Sequence, residues 1–190
     1  MKNICIFCGA NFNGDPTLKQ AIDELVETFV ACDITMVYGG ARAGMMGMLA
    51  DGMLRSGGRV VGVIPQFLMD KEIAHTGLTE LYVVQSMHAR KQLMVELSDG
   101  IIAMPGGAGT LDEFFEAFTW LQLGLHTSAV GLLNVNGFYN LLLQHFDMMV
   151  TQGFMKAANR NMLFTSTNVI DLLGQMETFK AQPHEVWFKK

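Results

Sequence analysis

Short β-rich runs alternate with helical patterns along most of the chain, and this alternation restricts the fold more than any other feature. Residues 4–8, 35–38, 60–64, 81–84, 101–104 and 130–135 read as strands, and residues 16–32, 44–56, 87–98, 111–123 and 138–152 read as helices. The rhythm is that of βαβ units, in which a parallel sheet is covered by helices on both faces. Local signals agree with it. Asp15-Pro16 offers an N-cap followed by proline at the first helical position, and Gly57-Gly58 stops the helix that begins near Gly44. With 190 residues, half of them apolar, the chain is long enough to bury a sizeable core, and it contains no repeat, low-complexity tract or long linker. The expectation is therefore an α/β fold: one doubly wound, parallel, Rossmann-like sheet forming a single nucleotide-binding domain over residues 1–190.

Such sheets bind ligands beyond the carboxyl ends of their strands. Three segments lie there, residues 9–15, 39–44 and 105–110. Charge helps to define the ligand. The balance of 13 basic against 18 acidic residues includes no basic run, which argues against nucleic acid or an anionic membrane surface and favours a small molecule. The apolar run at the N-terminus is too short for a signal peptide, and no stretch approaches the length of a membrane span, so a cytoplasmic protein is expected. Three cysteines are present, and Cys5-Ile6-Phe7-Cys8 has redox or zinc spacing. On a strand, however, residues three apart face opposite sides, and no second Cys/His pair completes a metal site. Cys5 and Cys8 are read as small buried hydrophobes, and no metal is expected.

The segment Gly39-Gly40-Ala41-Arg42-Ala43-Gly44 follows a strand and opens a helix, so its amides can face an anion at the positive end of that helix. It matches neither the Walker A loop nor the dinucleotide fingerprint. Pro105-Gly106-Gly107-Ala108-Gly109-Thr110 is the stronger signal. Its glycines permit close backbone approach, and Thr110 can cap a helix starting at Leu111 while turning its hydroxyl toward a phosphate. Two readings of Glu113 stay open: Thr110-Leu111-Asp112-Glu113 is also a capping box, in which the glutamate folds back on the cap amide. Asp112 is assigned to favourable interaction with the helix N-terminus, and Glu116 to the surface or to a supporting position. Ser86-Met87-His88-Ala89-Arg90-Lys91 opens another helix on the same edge, where Arg90 can meet a phosphate or carboxylate in bidentate fashion.

Together, Met87-His88-Ala89-Arg90-Lys91 and Pro105-Gly106-Gly107-Ala108-Gly109-Thr110-Leu111-Asp112-Glu113 resemble the motifs of the LOG family, the cytokinin riboside 5′-monophosphate phosphoribohydrolases. The resemblance extends from Ile4 to about Thr165. It implies hydrolysis of the N-glycosidic bond of an adenine-type nucleoside 5′-monophosphate to free base and ribose 5-phosphate. It further implies Arg90 and Glu113 as the catalytic pair, and Gly106, Gly107, Gly109 and Thr110 as the phosphate cradle. Cys8, Gly9, Gly39, Gly40, Met87 and Lys91 are further substrate-binding candidates. No cofactor is implied, and a homodimer or an assembly of dimers is. Relatives of this kind have often been labelled lysine decarboxylases, yet the sequence shows no pyridoxal-phosphate lysine with its partners. Ala10-Asn11 and Gln66 depart from the family pattern, which bears on base or ribose recognition. The competing reading is a nucleotide-like cofactor carrier, similar to molybdenum-cofactor carrier proteins. A purely structural oligomer is the third.

Overall fold

The structure, a computed structural model, describes residues 1–71 and 73–180. Seven parallel strands form one sheet in the order β4-β3-β2-β1-β5-β6-β7. They are β1 (Asn3–Phe7), β2 (Thr35–Tyr38), β3 (Val60–Pro65), β4 (Glu80–Val84), β5 (Gly100–Ala103), β6 (Ala129–Leu133) and β7 (Leu163–Ser166). The helices are α1 (Pro16–Ala31), α2 (Gly44–Arg55), α3 (Gln66–Met69), α4 (Met87–Glu96), α5 (Ala108–Leu123), α6 (Asn140–Thr151), α7 (Ala157–Arg160) and α8 (Val169–Glu177). The doubly wound parallel expectation holds. Strand β7 and helix α8 lie beyond the last element read from the sequence. β7 is a four-residue edge strand with one fully buried residue, so it lacks the continuous apolar run that marks the central strands.

Helices α1, α2 and α8 cover one face and α4, α5 and α6 the other, giving two apolar cores separated by the sheet. β1 shows how the strand serves both: Cys5 packs in the core under α5, whereas Ile4, Ile6 and Cys8 pack in the core under α1 and α2. The two thiols of the C-x-x-C stretch thus belong to opposite faces, as strand geometry demands. On the α5 side, Phe114 stacks on Phe118, and Phe146 of α6 meets both edge to face. The Asp15 carboxylate caps α1, accepting from the amides of Thr17 (2.8 Å) and Leu18 (3.1 Å), with Pro16 in the first turn.

Strands β2, β3 and β4 extend the sheet from β1 in one direction, and β5, β6 and β7 extend it in the other. The connections therefore diverge between β1 and β5, and the loops leaving these two strands part to leave a crevice at their carboxyl ends.

Candidate active site

A cleft of about 540 Å³ occupies that crevice, well within the size of small-ligand sites. Its walls come from the loop after β1 (Cys8, Gly9, Ala10, Asn11, Phe12, Asn13), the start of α2 (Met45, Met46) and the glycine loop after β5 (Pro105, Gly106, Gly107, Gly109). Gly39, Met87, Arg90, Thr110 and Glu113 complete it, with Leu18 and Phe138 at its apolar side. The amide of Gly9 donates to the carbonyl of Pro105 at 3.2 Å, tying the two loops of the switch point together.

Helix α5 begins three residues earlier than the sequence reading placed it, at Ala108, with Gly107 in the N-cap position and no side chain capping it. Thr110 is therefore inside the first turn and buried, and it does not cap. The helix starts where the glycines allow, and its first amides keep no side-chain acceptor, so the positive end of the helix opens into the cleft. Helix α2, which also opens there, likewise has no side-chain cap, whereas α1 and α4 are capped by Asp15 and Ser86. A side chain at Gly106 would overlap the Thr110 hydroxyl and approach the Gly9 amide to 2.9 Å, so the loop reaches this conformation only with glycine there.

The capping-box reading of Glu113 does not hold. Its Oε1 accepts from Arg90 Nη1 at 2.5 Å, not from a cap amide. Arg90 is itself buried, and its Nε donates to the carbonyl of Val63 at 3.2 Å, so the guanidinium bridges the carboxyl half of β3 and the second turn of α5. That bridge passes directly over Gly39, where even a β-carbon would overlap Arg90 Nη2. Burial raises the Glu113 carboxyl above its ordinary value, against the opposing pull of the Arg90 guanidinium. The result is a carboxylate held at the cleft with an elevated affinity for a proton. Cys8 lines the cleft too, but burial, and then the charge of Glu113, push its thiol far above the range in which a thiolate forms.

Arg90, Glu113, Gly106, Gly107, Gly109, Thr110, Cys8, Gly9, Gly39 and Met87 are thus brought together around one cleft. Gly40 and Lys91 are not. Gly40, at a φ of 74°, turns the chain against Ile64, and Lys91 points away into ion pairs with Asp112 and Glu116. Of the departures from the family pattern, Ala10 and Asn11 line the cleft, whereas Gln66 lies outside it, bonded to Asp70. Met45, Met46 and Phe138 were not singled out from the sequence. The methionines follow a flagged glycine loop, but Phe138 arrives from the connection after β6 and carries no local signal.

No group of three or more His, Cys, Asp or Glu that could hold a metal ion occurs among the described residues. A pyridoxal-phosphate site does not fit either, because no lysine among the described residues lines the cleft to carry a Schiff base. No helix among the described residues is long and apolar enough to cross a membrane.

The sheet order and the switch-point cleft define a Rossmann-like α/β protein with a carboxylate and guanidinium pair at its ligand crevice. Comparison with known proteins specifies the family. Residues 46–176 match the family model described as "Possible lysine decarboxylase". The chain is 40% identical over 179 residues to cytokinin riboside 5′-monophosphate phosphoribohydrolase LOG5 of Arabidopsis thaliana, covering 94% of this chain and 78% of that protein. It is 44% identical over 169 residues to the cytokinin riboside 5′-monophosphate phosphoribohydrolase of Rhodococcoides fascians, covering 88% and 85% of the two. The chain belongs to the LOG family. The molybdenum cofactor carrier protein of Chlamydomonas reinhardtii shares the fold, with a TM-score of 0.69 at 18% identity over 94% of this chain and 99% of that one.

Proposed function

We propose that the protein hydrolyses the N-glycosidic bond of an adenine-type nucleoside 5′-monophosphate, AMP or an N6-substituted derivative, to free base and ribose 5-phosphate. The observation that carries this reading is the Glu113 carboxylate, bonded to Arg90 and set one turn beyond the uncapped start of α5. The phosphate takes the amides of the glycine loop and the Thr110 hydroxyl, which leaves the ribose beside Glu113. As the C1′–N bond breaks, its electron pair leaves with the base, which takes up a proton from solvent, and positive charge grows on the sugar. A fixed carboxylate stabilises that charge, and water adds to C1′ while giving a proton to Glu113. The raised proton affinity of Glu113 makes it a stronger base than a solvated glutamate. Arg90 orients the carboxylate and substrate oxygens and exchanges no proton, because guanidinium stays charged. The aromatic and methionine side chains Phe12, Met45, Met46 and Phe138 offer an apolar surface for the base.

A carrier of a nucleotide-like cofactor would need the phosphate cradle but no buried carboxylate at the sugar, so the Arg90 and Glu113 pair favours turnover. Incubation with AMP, an N6-prenylated AMP and adenosine, followed by chromatography of the products, tests the reading. Free base is expected from the monophosphates, undiminished by EDTA, with kcat/KM for AMP on the order of 10² or more above that for adenosine, because the loop amides act through the phosphate. Equal kcat/KM for AMP and adenosine, or tight binding of the nucleotide without release of base, would refute it.

A further inference from the structure

One helix of the site is anchored in an unusual way. The fully buried residues of α4 are Arg90, Lys91, Met94 and Val95, so apolar burial holds its second half while its first turns are held through charged side chains. Arg90 reaches Glu113, and Lys91, also buried, reaches two other carboxylates of α5: Asp112 Oδ2 at 3.0 Å and Glu116 Oε2 at 2.8 Å. Adjacent cations on α4 therefore grip three acids on the first turns of α5.

We infer that Lys91 is a positioning residue: clamped between Asp112 and Glu116, its ammonium fixes the N-terminal turns of α4 against α5 at the separation that keeps Arg90 bonded to Glu113. The inference rests on the reading of Arg90 and Glu113 as the hydrolytic pair. Lys91 lies beside Arg90 in sequence but does not line the cleft, and its Nζ is committed to α5. A buried ammonium without partners is expensive, and the acids on the facing helix offset that cost for Lys91. Asp112 takes the hydrogen bond from Nζ but is largely solvated, whereas Glu116 is mostly buried and holds Nζ as an ion pair. His88 Nδ1 stands 3.8 Å from Glu116 Oε1, but its side chain is exposed and adds little.

The clamp also sets the field at Glu113. The charged groups facing that carboxyl are Arg90 and Lys91 from α4 and Asp112 from its own helix, with the neutral thiols of Cys5 on β1 and Cys8 just after it nearby. Lys91 favours the ionised carboxylate and Asp112 opposes it. Removing the lysine therefore raises the proton affinity of Glu113, and neutralising the aspartate lowers it.

The test combines kinetics with a readout independent of turnover, the 13C NMR titration of the Glu113 carboxyl, assigned through Glu113→Gln. In Lys91→Met the Glu113 midpoint is expected to move up, and kcat for AMP to fall about tenfold with KM within about twofold. Lys91→Arg, which keeps the charge, is expected to recover most of both. Asp112→Asn with Glu116→Gln loosens the clamp from the α5 side and serves if Lys91→Met does not fold. There kcat is expected to fall while the midpoint moves down. A Lys91→Met variant with wild-type kcat and midpoint would overturn the inference, as would a tenfold rise in KM at unchanged kcat, which marks a substrate-binding side chain. If the wild type releases no base while the midpoints shift in the stated opposite directions, the hydrolase reading fails and the clamp on Glu113 stands.

Discussion

Glu113 concentrates the chemistry in one side chain whose surroundings pull in two directions. Burial favours its protonated form, Arg90 its ionised form, and the net effect is a carboxyl titrating above its ordinary range. If the carboxylate is the working form, activity is lost as the pH falls through this raised value. The acid limb of kcat/KM should thus lie above the roughly 4.3 of a free glutamate, and a limb at or below that value would contradict the assignment. Glu113→Gln keeps the shape and an acceptor for Arg90 but removes the charge. Its kcat should drop by on the order of 10² or more, about 2.7 kcal/mol of transition-state stabilisation, with Tm within about 4 °C of the wild type. Unchanged turnover in this folded variant would return the glutamate to a structural role. Arg90→Ala should lose activity as well, with weaker binding of the monophosphate.

Among elements, the relation between β2, α4 and α5 matters most. Arg90 leaves α4, crosses over Gly39 at the end of β2 and meets Val63 and α5. The glycine is required for space, because a β-carbon there would occupy the position of Arg90 Nη2. Gly39→Ala is expected to displace the guanidinium and lower kcat/KM at least tenfold while leaving the sheet intact, since the overlap is with the end of a flexible side chain. Circular dichroism beside kinetics checks this. A fully active, well-folded Gly39→Ala variant would mean that Arg90 does its work from another position.

For the whole molecule, the surface left open by α6 is the unresolved demand. That helix fully buries only Phe146, while Leu141 (79% exposed) and Met148 on the helix and Phe154 (83% exposed) just beyond it face outward. Apolar side chains exposed in this number suit a contact with a second copy, and we propose a homodimer or an assembly of dimers. Light scattering should give a mass that is an even multiple of 21.0 kDa. A monomer at micromolar concentration would exclude the assembly, and Leu141→Lys should weaken it if α6 forms the contact.

The alternation of apolar runs with helical periodicity was enough to determine a doubly wound parallel sheet, because strands buried on both faces advertise themselves through continuous hydrophobicity. The glycine loop of residues 105–110 and the charged residues beyond strand ends were visible as local patterns, whereas Arg90 and Glu113 became a pair only through the family resemblance. Helix starts were less legible. Thr110 has the composition of a cap, yet the backbone begins α5 at Ala108, because Gly107 takes the N-cap position and leaves the first amides without a side-chain acceptor. Strand β7 was not legible because Leu163–Ser166 carries only two apolar residues before two hydroxyl ones, whereas the other edge strand, β4, contains the apolar run of residues 81–84. What only the tertiary structure decided was pairing across distance. Glu113 could bond its own cap amide or a residue 23 positions away, and these alternatives have the same sequence. Lys91 could face the cleft or the neighbouring helix, and Phe138 becomes a wall of the site only once β6 lies beside β5. Periodicity records which side of an element is buried, but the partner that buries it is chosen by the packing of the elements together.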